Sequence, residues 1–233
     1  MKKALLSIMA LVVLTACHGA RVHISSDEPL LKQSRQLKGF ERIEQLGSID
    51  VVYAQADSFS VKVEASKDLI DKVETRVEGN KLVVNMKWEK SFVKIGIKNT
   101  KGVKIYVTSP DFLGIDLKGS GDFVCKSPLD TDNLDINLKG SGNIQFGNII
   151  CDRAHVSLIG SGDVNVKKMK ALNTVIDLIG SGDIVMNFNN SGTVESRLKG
   201  SGDIVLTGSV KGIRKQVRGS GDIETSLLTI IEK

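Results

Sequence analysis

Histidine and aromatic residues are both scarce in this 233-residue chain. Two of the three histidines, His18 and His23, lie near the N-terminus. His155 stands alone in the second half, with no histidine or cysteine at ligand spacing, so no zinc site and no cofactor is expected. One tryptophan, two tyrosines and seven phenylalanines are too few for an extended sugar platform, which needs exposed aromatic faces. Only Trp88 with Phe92 offers one, and a cap over one end of a core is the simpler use of that pair. Clustered basic charge is missing too. The 32 basic residues are scattered among 27 acidic ones, which excludes an ordinary nucleic-acid surface. No apolar run is long enough for a membrane-spanning helix, which takes ~20 residues; the longest, Ala4 to Leu14, falls well short.

That short run belongs to a targeting signal. Lys2 and Lys3 precede it, and Leu14-Thr15-Ala16-Cys17 follows. The tetrapeptide resembles the bacterial lipobox, which implies cleavage before Cys17 and lipid on its thiol. Residues 1–16 are then the signal peptide. Without Lys2 and Lys3 the formal charge falls from +5 to +3. Residues 17–36, polar and without a sustained period, are expected to be a lipidated tether.

The dominant feature is a repeat. Gly119-Ser-Gly121-Asp122 recurs at Gly140-Ser-Gly142-Asn143, Gly160-Ser-Gly162-Asp163, Gly180-Ser-Gly182-Asp183, Gly200-Ser-Gly202-Asp203 and Gly219-Ser-Gly221-Asp222. A fixed period near 20 residues means stacked units. Two residues before the first glycine stand Leu117, Leu138, Leu158, Leu178, Leu198 and Val217; four before it stand Ile115, Ile136, Val156, Ile176, Ser196 and Lys215. Four after it stand Phe123, Ile144, Val164, Ile184, Ile204 and Ile223. The alternation of apolar and polar residues on both sides has the period of a strand with one buried face. Each unit is therefore a strand, a tight Gly-Ser-Gly corner in which glycine enters positive φ, a second strand and a variable corner. One unit cannot bury its apolar face, whereas a stack can. The fold class is all-β, a β-solenoid over residues 111–233, with Ser196 and Lys215 expected to make a polar terminal coil.

Residues 37–110 form a less regular β region. Ser48 to Tyr53 and Phe59 to Glu64 alternate as strands, Lys67 to Val73 suits a short helix, and Gly79-Asn80 suits a hairpin turn. Gly47-Ser48-Ile49-Asp50 reads as a degenerate corner. The region is either the opening coils of the solenoid with insertions or a small separate domain. Phe40 to Glu64, followed by the Gly-Ser-Gly-Asp coils, resembles the bacterial head GIN domain family of auto-transporter adhesins. That resemblance implies a right-handed parallel β-helix, similar in shape to pectate lyases, and adhesion with no established catalytic residue.

The Asp/Asn column, Asp122, Asn143, Asp163, Asp183, Asp203 and Asp222, has two readings. The carboxylates could hold a row of calcium ions. Alternatively, each accepts a hydrogen bond from the backbone of its own corner, the role favoured because Asn143 fills the slot without charge. The corner serines recur six times with no base beside them and are turn residues, not nucleophiles. Cys125 and Cys151 fall in different columns and are expected to stay unbridged. Ile159 and Ile179 occupy a slot that is Lys118, Lys139, Lys199 and Arg218 elsewhere. With the second pair, Val185 and Val205, they form a candidate outward contact patch.

The chain therefore reads as an exported, lipid-anchored, non-catalytic β-helix in the cell envelope, periplasmic or surface-facing. It presents a rigid surface to a protein or glycan ligand or to a second copy of itself, and contacts the membrane through its N-terminal lipid. A polysaccharide lyase or hydrolase on the same scaffold would need clustered carboxylates with Arg or Lys; Asp135, Asp177, Glu195 and Arg197 are the residues that could supply them. A periplasmic structural protein without a ligand is the third reading.

Overall fold

The computed structural model describes residues 29–87 and 102–231. These form a 15-stranded arrangement, with one three-residue 3-10 turn at Ile70–Lys72 and no α-helix among the described residues. The regular part is a parallel β-solenoid. Its coils are β8 (Gly114–Gly119), β9 (Asp122–Gly140), β10 (Asn143–Gly160), β11 (Asp163–Gly180), β12 (Asp183–Gly200) and β13 (Ile204–Gly219). Each long strand leaves a Gly-Ser-Gly corner along the back face and returns along the front face to the next glycine; between them lies a short side face, marked in β10 by breaks in the burial alternation at Gly147–Asn148 and Asp152–Arg153, so the single variable corner expected from the sequence is two bends. The register follows the repeat: Gly119, Gly140, Gly160, Gly180, Gly200 and Gly219 stack on one another. The inward columns read from the sequence are buried, from Ile115 and Leu117 through Ile176 and Leu178 to Ile204 and Leu206.

The columns fail at the free end. Val217 belongs to an inner column but is 42% exposed, because no strand lies over this half of the last coil among the described residues. Ser196 is not terminal: β13 covers it, its side chain is fully buried, and its Oγ has no hydrogen-bond partner. Lys215 takes the closing role, donating from Nζ to the Ile223 carbonyl at 3.1 Å and to Thr225 Oγ1 at 3.0 Å. Two short strands, β14 (Ile223–Glu224) and β15 (Leu228–Ile230), cover only the back half of that coil.

The irregular N-terminal half is continuous with the solenoid. The degenerate corner joins β2 (Arg42–Gly47) to β3 (Asp50–Gln55), and Gly47 stacks under Gly119 while Val51 stacks under Phe123. Gln45 replaces the inner leucine of this coil. Its Nε2 donates to the carbonyls of Ile49 and Asp122, tying this corner to the coil above. Below lie β6 (Lys81–Met86) and β5 (Val73–Glu78) on the front face. On the back face lie β7 (Lys104–Ser109), β4 (Ser60–Ala65) and β1 (Leu31–Arg35). One hydrophobic cluster runs from Phe40 to Ile223, so the irregular and regular coils share a core.

Two expectations are corrected. The helix expected over Lys67–Val73 shrinks to the single 3-10 turn, since Val73 already begins β5. The tether expected over residues 17–36 ends early, because Leu31–Arg35 pairs antiparallel with β4. Its side chains are mostly exposed, which is why no apolar period marks it. The leader, Cys17, His18, His23, Trp88 and Phe92 lie outside the described residues.

Tyr53, Phe112, Phe123 and Phe146 stack through the junction between the irregular and regular coils, with ring centroids 4.2 to 6.3 Å apart. Cys125 and Cys151 are buried and unbridged, and burial pushes their thiols up to about 11 and about 12.

Candidate functional site

The corners form a ridge between the front and back faces. Gly180 sits at φ +137°, and the equivalent first glycines share that left-handed geometry. Its carbonyl accepts from two N–H groups of the next coil, Ser201 at 2.9 Å and Gly202 at 3.2 Å, and the other corners repeat the pair. The second glycine is required for another reason than the expected positive φ. A Cβ on Gly182 would lie 2.0 Å from the Gly162 carbonyl oxygen, so close approach of stacked backbones excludes every side chain. The serine side chains are exposed.

The Asp/Asn column is a ladder between coils. Its carboxylates accept not from their own corner, as expected, but from the equivalent residue one coil on. Asp122 N–H donates to Asp50 Oδ1 at 3.1 Å, Asp203 N–H to Asp183 Oδ1 at 3.0 Å and Asp222 N–H to Asp203 Oδ1 at 3.0 Å. Asn143 joins through Nδ2, which donates to Asp122 Oδ1 at 2.8 Å. Among the described residues no coil lies beyond Asp222, and its carboxylate turns back to accept from the N–H of Ile223 at 2.8 Å. The coil spacing brings each carboxylate level with the next strand's donor, so parallel stacking chose the partner. No group of three His, Cys, Asp or Glu suited to a metal occurs among the described residues. Asp183→Ala is expected to cost about 1 kcal/mol in urea unfolding, one hydrogen bond's worth. A chelator is expected to leave the melting temperature unchanged; a calcium-dependent shift of several degrees would replace the ladder with a row of cations.

The front face carries the charged residues that a hydrolytic reading would need. Arg197 grips Asp177 with two bonds of 2.7 and 3.2 Å and reaches Glu195 at 3.7 Å. His155 Nε2 lies 3.2 Å from the same Asp177, and Asp135 is held by Arg42 at 2.9 Å. Asp177 and Asp135 are tied to a cation or an imidazole on another coil and Glu195 to Arg197 of its own strand, in exposed pairs of the kind that contribute little to stability.

Ile159 and Ile179 face outward one above the other, 39% and 46% exposed, between Lys139 and Lys199 of the same column. Val185 and Val205 are also register partners, the first 38% exposed and the second half-buried. The structure does not merge the two pairs. The Gly-Ser-Gly-Asp ridge stands between them, with the isoleucines on the front face and the valines on the back. Beside Ile179, a shallow groove of about 230 Å³ runs to Arg197, Lys199, Gln216 and Arg218. The sequence reading overlooked Tyr106, which is exposed on the back face beside Val52; its alternation in β7 is the signal that marks it.

A family model described as "putative auto-transporter adhesin, head GIN domain" matches residues 39–226, from the start of the opening coil into the last turn. A "putative adhesin" from Bacteroides fragilis is 25% identical, with a TM-score of 0.66 over 83% of this chain and 95% of that one. A "putative lipid binding protein" from Parabacteroides distasonis is 22% identical, with a TM-score of 0.64 over 84% of this chain and 96% of that one. A "putative adhesin" from Parabacteroides merdae is 18% identical, with a TM-score of 0.55 over 85% and 96%. The last two share the fold. No curated protein matches the chain.

Proposed function

Because the chain belongs to the head GIN domain family of auto-transporter adhesins, we propose that it is an exported, lipid-anchored envelope protein whose solenoid presents a rigid outer face for adhesion, without catalysing a reaction. The observation that carries this reading is the stacked pair Ile159 and Ile179. Their slot holds Lys or Arg in the other regular coils, so polar side chains are compatible with the fold there, and two neighbouring coils nevertheless expose isoleucine. An apolar centre with a basic rim is the anatomy of a binding patch. The backbone beneath it is hydrogen-bonded on both sides, so little order has to be gained when a partner docks. Cys17, in its lipobox-like setting, supplies the anchor, and the several acyl chains of a bacterial lipoprotein hold a protein firmly to a membrane.

The test has three arms. Cys17→Ser is expected to release the protein from the membrane fraction; retention after a high-salt wash would sink the anchor. Ile159→Lys together with Ile179→Lys is expected to keep the circular dichroism spectrum while reducing adhesion of producing cells to glycoprotein-coated plates. Unchanged adhesion removes the patch. Protease treatment of intact cells separates a surface-facing protein, which is cut, from a periplasmic one, which is spared.

A further inference from the structure

We propose that the protein stacks head to tail with copies of itself, the free edge of β5 in one copy adding antiparallel to the free edge of β13 in the next. The front face is one uninterrupted sheet, β5-β6-β2-β8 and then the front halves of β9 to β13. Among the described residues, β5 pairs only with β6, and Gly212–Gly219 pairs only with β12. Both ends of this sheet therefore offer unpaired backbone groups, which recruit added strands.

Three features make the two edges fit each other. The first is direction. All coils run parallel and β5 runs antiparallel to β6, so a second copy in the same orientation brings β5 antiparallel to β13. The second is charge. One outward column runs from Arg214 through Glu195, Val175, His155, Asp135, Gly114, Arg42 and Lys81 to Glu78, so Arg214 and Glu78 are its two ends. Continuing it into a second copy sets Arg214 opposite Glu78. By the two-residue period it also sets Gln216 opposite Arg76 and Arg218 opposite Glu74. Within one copy Glu74 and Glu78 flank Arg76 at 3.3 and 2.6 Å, leaving the β5 edge with one net negative charge, while the facing edge carries Arg214 and Arg218. The third is the core. Val217 is left unroofed at one end, whereas Leu198 and Leu178 beneath it are buried, and an added strand would cover it.

Such a contact uses different surfaces on the two copies, so it propagates instead of closing. On the back face β1 stands one strand beyond the level of β5. An extra strand of ~4.8 Å on one face makes each joint a wedge. The stack is therefore curved.

Sedimentation velocity of the full chain from ~1 to ~100 µM is expected to show mass rising with concentration and falling with added salt, as charge pairing at an edge requires. Arg214→Glu with Arg218→Glu should leave single copies. So should Glu74→Lys, Arg76→Glu and Glu78→Lys, which keep the ion pairs within β5. An equal mixture of the two variants should associate again, and Ile159→Lys with Ile179→Lys should not alter the wild-type result. As a check that needs no charge change, Thr75→Cys with Val217→Cys, opposite each other in this register, should give an oxidised ladder on a non-reducing gel. A wild type that stays single at every concentration, charge variants that associate like wild type, or the absence of a ladder would overturn the proposal. In that case the arginines only guard the edge against pairing.

Discussion

Replacing Gly182 with alanine is expected to destabilise the solenoid by about 3 kcal/mol, and valine should do more damage. The cause is contact, not torsion. A Cβ would sit 2.0 Å from the Gly162 oxygen and 3.0 Å from the same residue's carbonyl carbon and amide nitrogen, and those atoms are backbone. They cannot retreat, because Gly162 is itself stacked on Gly142 with an equally short approach. Relief requires opening the coils, which would strain the ladder of hydrogen bonds along the ridge. Gly212 is the control. A Cβ there meets only Thr193 Cγ2 at 4.0 Å, and its φ is not in the left-handed range. Gly212→Ala should therefore change stability by less than about 0.5 kcal/mol. Urea denaturation of both variants decides the matter, and equal effects would mean that the corners are not close-packed.

Phe123→Ala is expected to cost about 3–5 kcal/mol, the range for emptying a buried aromatic site. Phe123 is fully buried and touches rings on three sides, with Phe146 at 5.5 Å, Phe112 at 5.9 Å and Tyr53 at 6.3 Å. Tyr53 comes from the opening coil and Phe146 from the regular repeats, so this side chain joins the two halves of the core. The loss should lower the unfolding midpoint and weaken the near-ultraviolet signal of Tyr53. Phe123→Leu keeps most of the volume and should cost less than about 1.5 kcal/mol. If the alanine variant unfolds in two separate steps, the halves are held together mainly by this stack; a midpoint within error of wild type would show that the junction collapses around the cavity.

Much of the molecule was legible in its sequence, and for a definite reason. A solenoid repeats one local solution, so Leu138, Leu158 and Leu178 announce the same column three times, and the 20-residue period places each over the last. The Gly47 corner was legible despite its altered second glycine because Ile49, Val51 and Tyr53 keep the alternation. What the period could not give is how the repeat ends. Val217 and Leu198 hold equivalent slots, yet among the described residues only one has a strand above it. Ser196 and Lys215 looked alike as polar interruptions, yet one is sealed in and the other reaches across the last turn.

The sequence by itself determined the strand pattern, the corners, the parallel stacking and the inward and outward assignment of nearly every regular coil. All of these follow from local sterics and a two-residue alternation. Only the tertiary structure decided what depends on neighbours distant in the chain. It showed that the second glycine answers to the coil below it, and that each aspartate serves the coil above. It set the ridge between Ile179 and Val185, and it left β5 and β13 as opposite edges of one sheet. Hydrogen bonds and close contacts between strands are made across space, and no local pattern records which strand will stand alongside.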